Sequence, residues 1–219
     1  MMAGMETATL RDRLIDGLDR FASATRADVR RSVASRGLNP AQDAILRLLL
    51  ARPAGLRVRV LAGHLGVRQP TVTDSVIALE RKGLVRRQAD PADARAAIVK
   101  VTPDAVAQPA AGVPSLAAAA LAELSEAEQT GLLKTLIKLI RSLQLRQAIP
   151  LQRMCVTCKY FRPNAHPEGM EHCAFVDAPF GDRALRLDCA EHEQAEAPEM
   201  ARNWNAFVMT PRPRQEIRP

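Results

Sequence analysis

Four cysteines, Cys155, Cys158, Cys173 and Cys189, are the residues of this chain best suited to chemistry. They follow the pattern C-x2-C-x14-C-x15-C, and the chain has no others. A CxxC pair puts two thiols on one turn, and two further cysteines complete a four-sulfur set. Four thiolates are the donor set of structural zinc and of iron–sulfur clusters. Structural zinc often uses two paired knuckles; here there is one pair and two single cysteines. Tyr160 and Phe161 follow the pair, and Phe175 follows the third cysteine. Such a dry aromatic shell suits a cluster whose potential is set by burial and by hydrogen bonds to sulfur. The pattern points first to a 4Fe–4S cluster; 2Fe–2S is compatible, and zinc is the alternative. His172, beside Cys173, and His192, three residues after Cys189, are alternative ligands in a mixed set. Disulfides are disfavoured because nothing marks the chain for an oxidising compartment. Met1 to Thr9 lacks an apolar leader and no apolar run reaches membrane-spanning length, so the expected location is cytoplasmic.

A second chemistry lies upstream. Val72, Val76 and Leu79 recur at i, i+4 and i+7, so they mark the inner face of a helix that starts near Gln69-Pro70. The outward set is then Arg68, Gln69, Thr71, Thr73, Asp74 and Ser75. An α-helix fits the major groove of B-DNA, and Gln can pair bidentately with adenine, Arg with guanine or a phosphate. The hydroxyls of Thr71, Thr73 and Ser75 suit base or phosphate contacts. Leu84 to Gln88 and Ala97 to Val101 read as two strands around the turn Asp90-Pro91-Ala92-Asp93. Arg86, Arg87 and Arg95 lie on or near that ribbon, and an arginine at its tip suits a narrow minor groove.

Charge supports a polyanionic partner. The chain carries a net charge of +7, and residues 1–103 hold 18 Lys and Arg against 10 Asp and Glu. Six of the seven aromatic residues fall after residue 150, so two compositions, and two modules, share one chain. No paired carboxylates, no Ser/His/Asp set and no phosphate-cradling glycine loop are present, which argues against an enzyme.

These residues need elements to hold them. Leu10, Leu14, Leu18 and Phe21 recur at helical spacing within 8–35. Asn39-Pro40 is an N-cap and first helical residue for the next helix. Gly83 fits a helix C-terminus, where positive φ is common. Ser125-x-x-Glu128 is a capping box ahead of a broad leucine and isoleucine stripe. The expected fold is mainly α with a small β wing: a winged helix-turn-helix with flanking dimerisation helices and a small Cys-rich metal-binding module. Five segments follow: an N-terminal dimerisation helix at 1–38, the winged helix-turn-helix at 39–103, C-terminal dimerisation helices at 104–150, the four-cysteine module at 151–200 and a largely disordered tail at 201–219.

The run Leu61-Ala62-Gly63-His64-Leu65-Gly66-Val67-Arg68-Gln69-Pro70-Thr71-Val72-Thr73-Asp74 resembles the helix-turn-helix of MarR regulators. Leu79 to Arg87, the wing signature Asp93-Ala94-Arg95 followed by Val101-Thr102-Pro103, and Ser125 to Gln129 extend the resemblance over about residues 8–148. It implies a homodimer on a pseudo-palindromic operator of double-stranded DNA, with helices near 8–35 and 115–148 at the dimer interface. It also implies that Asp93 and Arg95 stabilise the wing and its DNA contact. The stretch 104–120, interrupted by Pro109 and Pro114, departs from the family's longer continuous helix. The cysteine spacing resembles that of high-potential iron–sulfur proteins over about 35 residues. Together these resemblances imply a transcriptional regulator sensing redox state or iron. The alternative is a regulator answering a small-molecule effector, with the cysteines as a structural zinc site.

Overall fold

The computed structural model describes residues 8–107 and 115–209. The chain divides into two compact units, Met1–Glu123 and Leu124–Pro219.

The first unit opens with α1 (Leu10–Ala34), capped by Thr9 in a reciprocal capping box with Asp12. Its N-terminal half buries little; Val33 is its buried residue. Helix α2 (Pro40–Leu50) begins at the Asn39 cap, with Pro40 in the first turn, where a missing N–H is harmless. Strand β1 (Leu56–Arg57) leads directly into α3 (Val58–Leu65), which ends on Gly66 at φ 65°. Helix α4 (Gln69–Arg81) follows, then β2 (Val85–Asp90), β3 (Asp93–Val101) and α5 (Pro103–Ala107). Helix α6 (Ser115–Ala122) returns to α1, where the Leu116 N–H donates to Asp28 at 3.1 Å. The sheet order is β1-β3-β2, all antiparallel, with Leu56 opposite Val99 and Val85 opposite Val101. The core is Ile45, Leu49, Leu61, Val72, Val76, Leu79 and Val99.

One turn is unusually constrained. Gly55, at φ 84°, lies so close to β3 that a Cβ there would come within 2.7 Å of both the Val99 carbonyl oxygen and Lys100 Cγ. Only glycine takes that conformation without strain and that approach without collision.

The second unit starts with α7 (Glu126–Leu145), capped by the expected Ser125–Glu128 box. Three short strands follow, β4 (Phe161–His166), β5 (Met170–Cys173) and β6 (Ala178–Phe180), antiparallel in that order. Helix α8 (Ala197–Met209) closes the unit. Ile137 of α7 is fully buried against Met154, Val156, Phe161, Leu185 and Phe207. Lys134 pairs with Asp182 at 3.0 Å and sits 5.3 Å above the Phe207 ring.

Two expectations are corrected here. The boundary expected near Pro150 falls at 123/124, because the apolar stripe of α7 builds one core with the cysteine segment. The tail expected from 201 is helical through Met209: Met200, Trp204, Phe207 and Val208 recur at helical spacing and pack into that core. The rest of that tail, 210–219, lies outside the described residues, as do Pro109 and Pro114. Among the described residues, no helix is long and apolar enough to cross a membrane.

Candidate nucleic-acid interface and four-cysteine cavity

Helix α4 buries Val72, Val76 and Leu79 and leaves Arg68, Gln69, Thr71 and Asp74 exposed. Thr73 is half-buried, its hydroxyl donating to the Gln69 carbonyl at 3.0 Å. Ser75 departs from the expected outward set. It is only 8% exposed, and its hydroxyl donates to the Thr71 carbonyl at 2.9 Å. Three residues after Val72 and four before Leu79, it falls on the inner face. It is removed from the candidate contacts.

The wing is held at its turn by a residue that the sequence did not single out. Arg57, the last residue of β1, pairs through Nε with Asp90 at 2.6 Å and through Nη2 with Asp93 at 3.5 Å. Both aspartates also accept backbone N–H groups of the turn: Asp90 from Ala92 at 2.9 Å and Asp93 from Arg95 at 3.1 Å. The Ala92 N–H and then the Arg57 guanidinium hold the Asp90 carboxyl below the usual carboxylate range. Asp93 thus meets both Arg57 and the Arg95 N–H, and Arg95 is exposed at the start of β3.

Arg86 and Arg87 are both exposed, but strand alternation sends them to opposite faces. Arg86 lies opposite Lys100, while Arg87 pairs with Glu80 of α4 at 3.5 Å. A cleft runs between α4 and the wing. Gln69 and Thr73 line one side, Arg57, Arg59 and Arg87 supply positive charge, and Ala96, Ala97 and Val99 are its apolar part. Every charged side chain that lines it is an arginine, which suits a polyanion, although Asp90 and Asp93 offset Arg57 and Glu80 offsets Arg87.

In the second unit all four cysteines line one cavity of about 170 Å³. Tyr160, Phe161, Phe175, Val176, Pro179 and Phe180 make its walls largely apolar. The Tyr160 and Phe175 rings meet edge to face at 5.3 Å. All four cysteines are free thiols in this structure. A 3-10 turn, Cys155–Thr157, presents the CxxC pair, and the Cys158 N–H donates to the Cys155 carbonyl at 2.9 Å. Cys173 ends β5 opposite Phe161. Cys189 is tied by its N–H to the Arg153 carbonyl at 2.9 Å.

Arg186 reaches two of the sulfurs. Its backbone N–H donates to Cys155 Sγ at 3.2 Å, and its Nη1 lies 3.8 Å from Cys189 Sγ. Nothing in the spacing of the cysteines points to it.

Neither histidine lines the cavity. His172 Nδ1 meets His166 Nε2 at 3.0 Å and its Nε2 faces Asp177 at 3.3 Å. His192 Nε2 meets the Thr157 hydroxyl at 3.0 Å. The mixed ligand set is therefore not supported by the geometry. Among the described residues, no three His, Cys, Asp or Glu side chains gather into a group that could hold a metal ion. The sulfurs surround a cavity instead.

Burial pushes the Cys155 thiol up to about 11, with the Arg186 N–H opposing and the other three cysteines adding to the rise. Metal-free protein at pH 8 is thus expected to alkylate at Cys155 on the order of 100-fold more slowly than an unperturbed thiol, because only the thiolate reacts. Site-resolved iodoacetamide labelling by mass spectrometry checks this; a rate equal to that of a free thiol contradicts it. The direction for stability follows. A raised thiol pKa favours the folded state below about pH 9, and that contribution is lost as pH rises toward 11.

Comparison with known proteins bears on the first unit. A sequence model of the MarR family matches residues 38–97. The transcriptional regulator PA3341 is 30% identical, with a TM-score of 0.52, over 60% of this chain and 98% of that one. A MarR-family regulator from Silicibacter pomeroyi is 23% identical, with a TM-score of 0.54, over 64% of this chain and 96% of that one. The regulator BldR from Sulfolobus solfataricus is 26% identical, with a TM-score of 0.50, over 61% and 99%. The search of curated proteins finds no match. With its helix-turn-helix, its wing and a 30% identical regulator matched over nearly its whole length, the chain belongs to the MarR family of DNA-binding transcriptional regulators.

Proposed function

We propose that two copies of this chain bind a pseudo-palindromic operator. Each would lay α4 in the major groove of one half-site and bring Arg95 of the wing to the neighbouring minor groove. The observation that carries this reading is the cleft that sets Gln69 and Thr73 of α4 against the arginine-bearing wing side, with Arg59 beside the ion-paired Arg57 and Arg87. Arg68, Gln69 and Thr71 stand exposed at the start of the helix, where recognition helices read bases. A second copy is supported by α1, whose Leu10, Leu14, Leu18 and Phe21 leave an apolar row at 47–67% exposure. Leu132, Leu139 and Leu143 of α7 add another exposed apolar set.

The same proposal assigns Cys155, Cys158, Cys173 and Cys189 to a metal centre, a 4Fe–4S cluster ahead of 2Fe–2S, that makes binding responsive to redox state or iron. Convergence of four free thiols on one apolar cavity supports it. When bound, such a cluster supplies one-electron chemistry. The chain supplies the thiolates, the dry walls and the Arg186 hydrogen bonds. Since α7 shares a core with the cysteine segment, a change in the cavity acts on a helix that carries exposed apolar side chains.

The test is footprinting of genomic fragments selected by the purified chain, with metal content and visible spectrum measured under nitrogen. A two-fold symmetric footprint, with brown, iron-containing protein, is expected. Absence of any specific footprint overturns the operator reading. Colourless protein with one zinc per chain overturns the redox reading and leaves the signal to a small-molecule effector.

A further inference from the structure

Four thiolates facing one largely apolar cavity, with Cys158 buried and the other three half-buried, concentrate negative charge in one place. Of the charged residues lining that cavity among the described ones, Arg186 is the cation and Glu191 the anion. Arg186 is placed with unusual economy. Its carbonyl accepts the Cys155 N–H at 3.1 Å, its own N–H donates to Cys155 Sγ at 3.2 Å, and its guanidinium extends to Cys189 Sγ at 3.8 Å. One residue therefore bridges the first and last cysteines of the set. The flanking segment is anchored independently of its side chain: Leu185 is buried in the core and the Cys189 N–H is held by Arg153. The guanidinium itself is exposed to solvent, so it can be exchanged without opening the core.

We infer that Arg186 is the positioning residue that sets the electron affinity of the four-cysteine centre, by donating to two of its sulfurs and offsetting their charge. This rests on the cluster reading of the cavity. Hydrogen bonds and positive charge at ligating sulfurs stabilise the more electron-rich state and so raise the reduction potential. The electron comes from the external one-electron couple that poises the protein; Arg186 exchanges neither electron nor proton.

The experiment is an anaerobic potentiometric titration, with iron content, of the full-length wild type, Arg186→Gln and Arg186→Lys. At a given ambient potential the reduced-to-oxidised ratio in Arg186→Gln is expected to fall on the order of tenfold, which is a midpoint about 59 mV lower for a one-electron couple. Arg186→Lys keeps the charge and loses the forked donor, so its midpoint should lie between the two. An iron-loaded Arg186→Gln with an unchanged or higher midpoint overturns the inference and leaves the cluster reading standing. If Arg186→Gln takes up no iron, Arg186→Lys decides: a lowered midpoint supports the inference and an unchanged one overturns it. A wild type that takes up no iron sinks the cluster reading itself, and this inference with it.

Discussion

Replacing Arg57 with alanine is expected to weaken operator binding on the order of tenfold, while thermal unfolding of the chain barely moves. Arg57 is the cation between Asp90 and Asp93, so the substitution leaves two carboxylates facing each other across the turn of the wing. Asp90 would drift back toward the ordinary carboxylate range, and the turn that presents Arg95 would lose its brace. Stability should hardly change, because a partly exposed ion pair contributes little to folding. Two controls separate bracing from direct contact. A residue that touches a phosphate lowers the dependence of log affinity on log salt by roughly one when removed. A residue that only braces the wing leaves that slope alone. Neutralising both carboxylates in the Arg57→Ala background should recover part of the lost affinity. Gel-shift titrations across a salt series check both points, and wild-type affinity in Arg57→Ala would end the bracing account.

Cys158→Ser should reduce bound metal to below about a tenth of the wild-type content, without unfolding the second unit. Serine keeps the size but loses the soft thiolate, and Cys158 is the buried member of the set, so water cannot readily take its place. Many small metal modules collapse when stripped. Here the unit has its own core: Ile137 from α7, Phe207 from α8, and Met154, Phe161 and Leu185 between them. Far-ultraviolet circular dichroism of the stripped protein should therefore keep its helical signal. Full metal content in Cys158→Ser would remove that residue from the ligand set. A large loss of helix would show the metal to be a structural staple.

The sequence told most where a periodic pattern met a local signal. Val72, Val76 and Leu79 gave the inner face of α4, and Asn39-Pro40 and Ser125–Glu128 cap helices as read. Ser75 was misplaced by its hydroxyl, although its spacing from Val72 and Leu79 already put it inside. Arg57 was out of reach for a different reason. Its partner Asp90 is 33 residues away, and nothing local tells which of several arginines answers two carboxylates in a turn. Arg186 escaped for the same reason, since the contact belongs to tertiary packing and not to the spacing of the cysteines. The α7 stripe announced that it needed a partner but not which one. Met200, Trp204 and Phe207 carry the helical spacing of α8, whereas Pro211 and Pro213 just beyond them are the composition of a disordered tail.

The tight turn at Gly55 has a consequence for how this protein can vary. It sits two residues before Arg57, and it is pressed against the strand that also carries Ala97 and Val99 of the cleft. Any side chain at 55 must both strain the backbone and push β3 away, so the damage would pass to the wing brace and the groove together. In the proposed reading, the exposed positions of α4 are free to change as operators change, whereas position 55 is held to glycine. Operator preference and the frame that presents it are thus separable in evolution: the first is free to diverge among descendants of this chain, and the second hangs on one residue that carries no side chain.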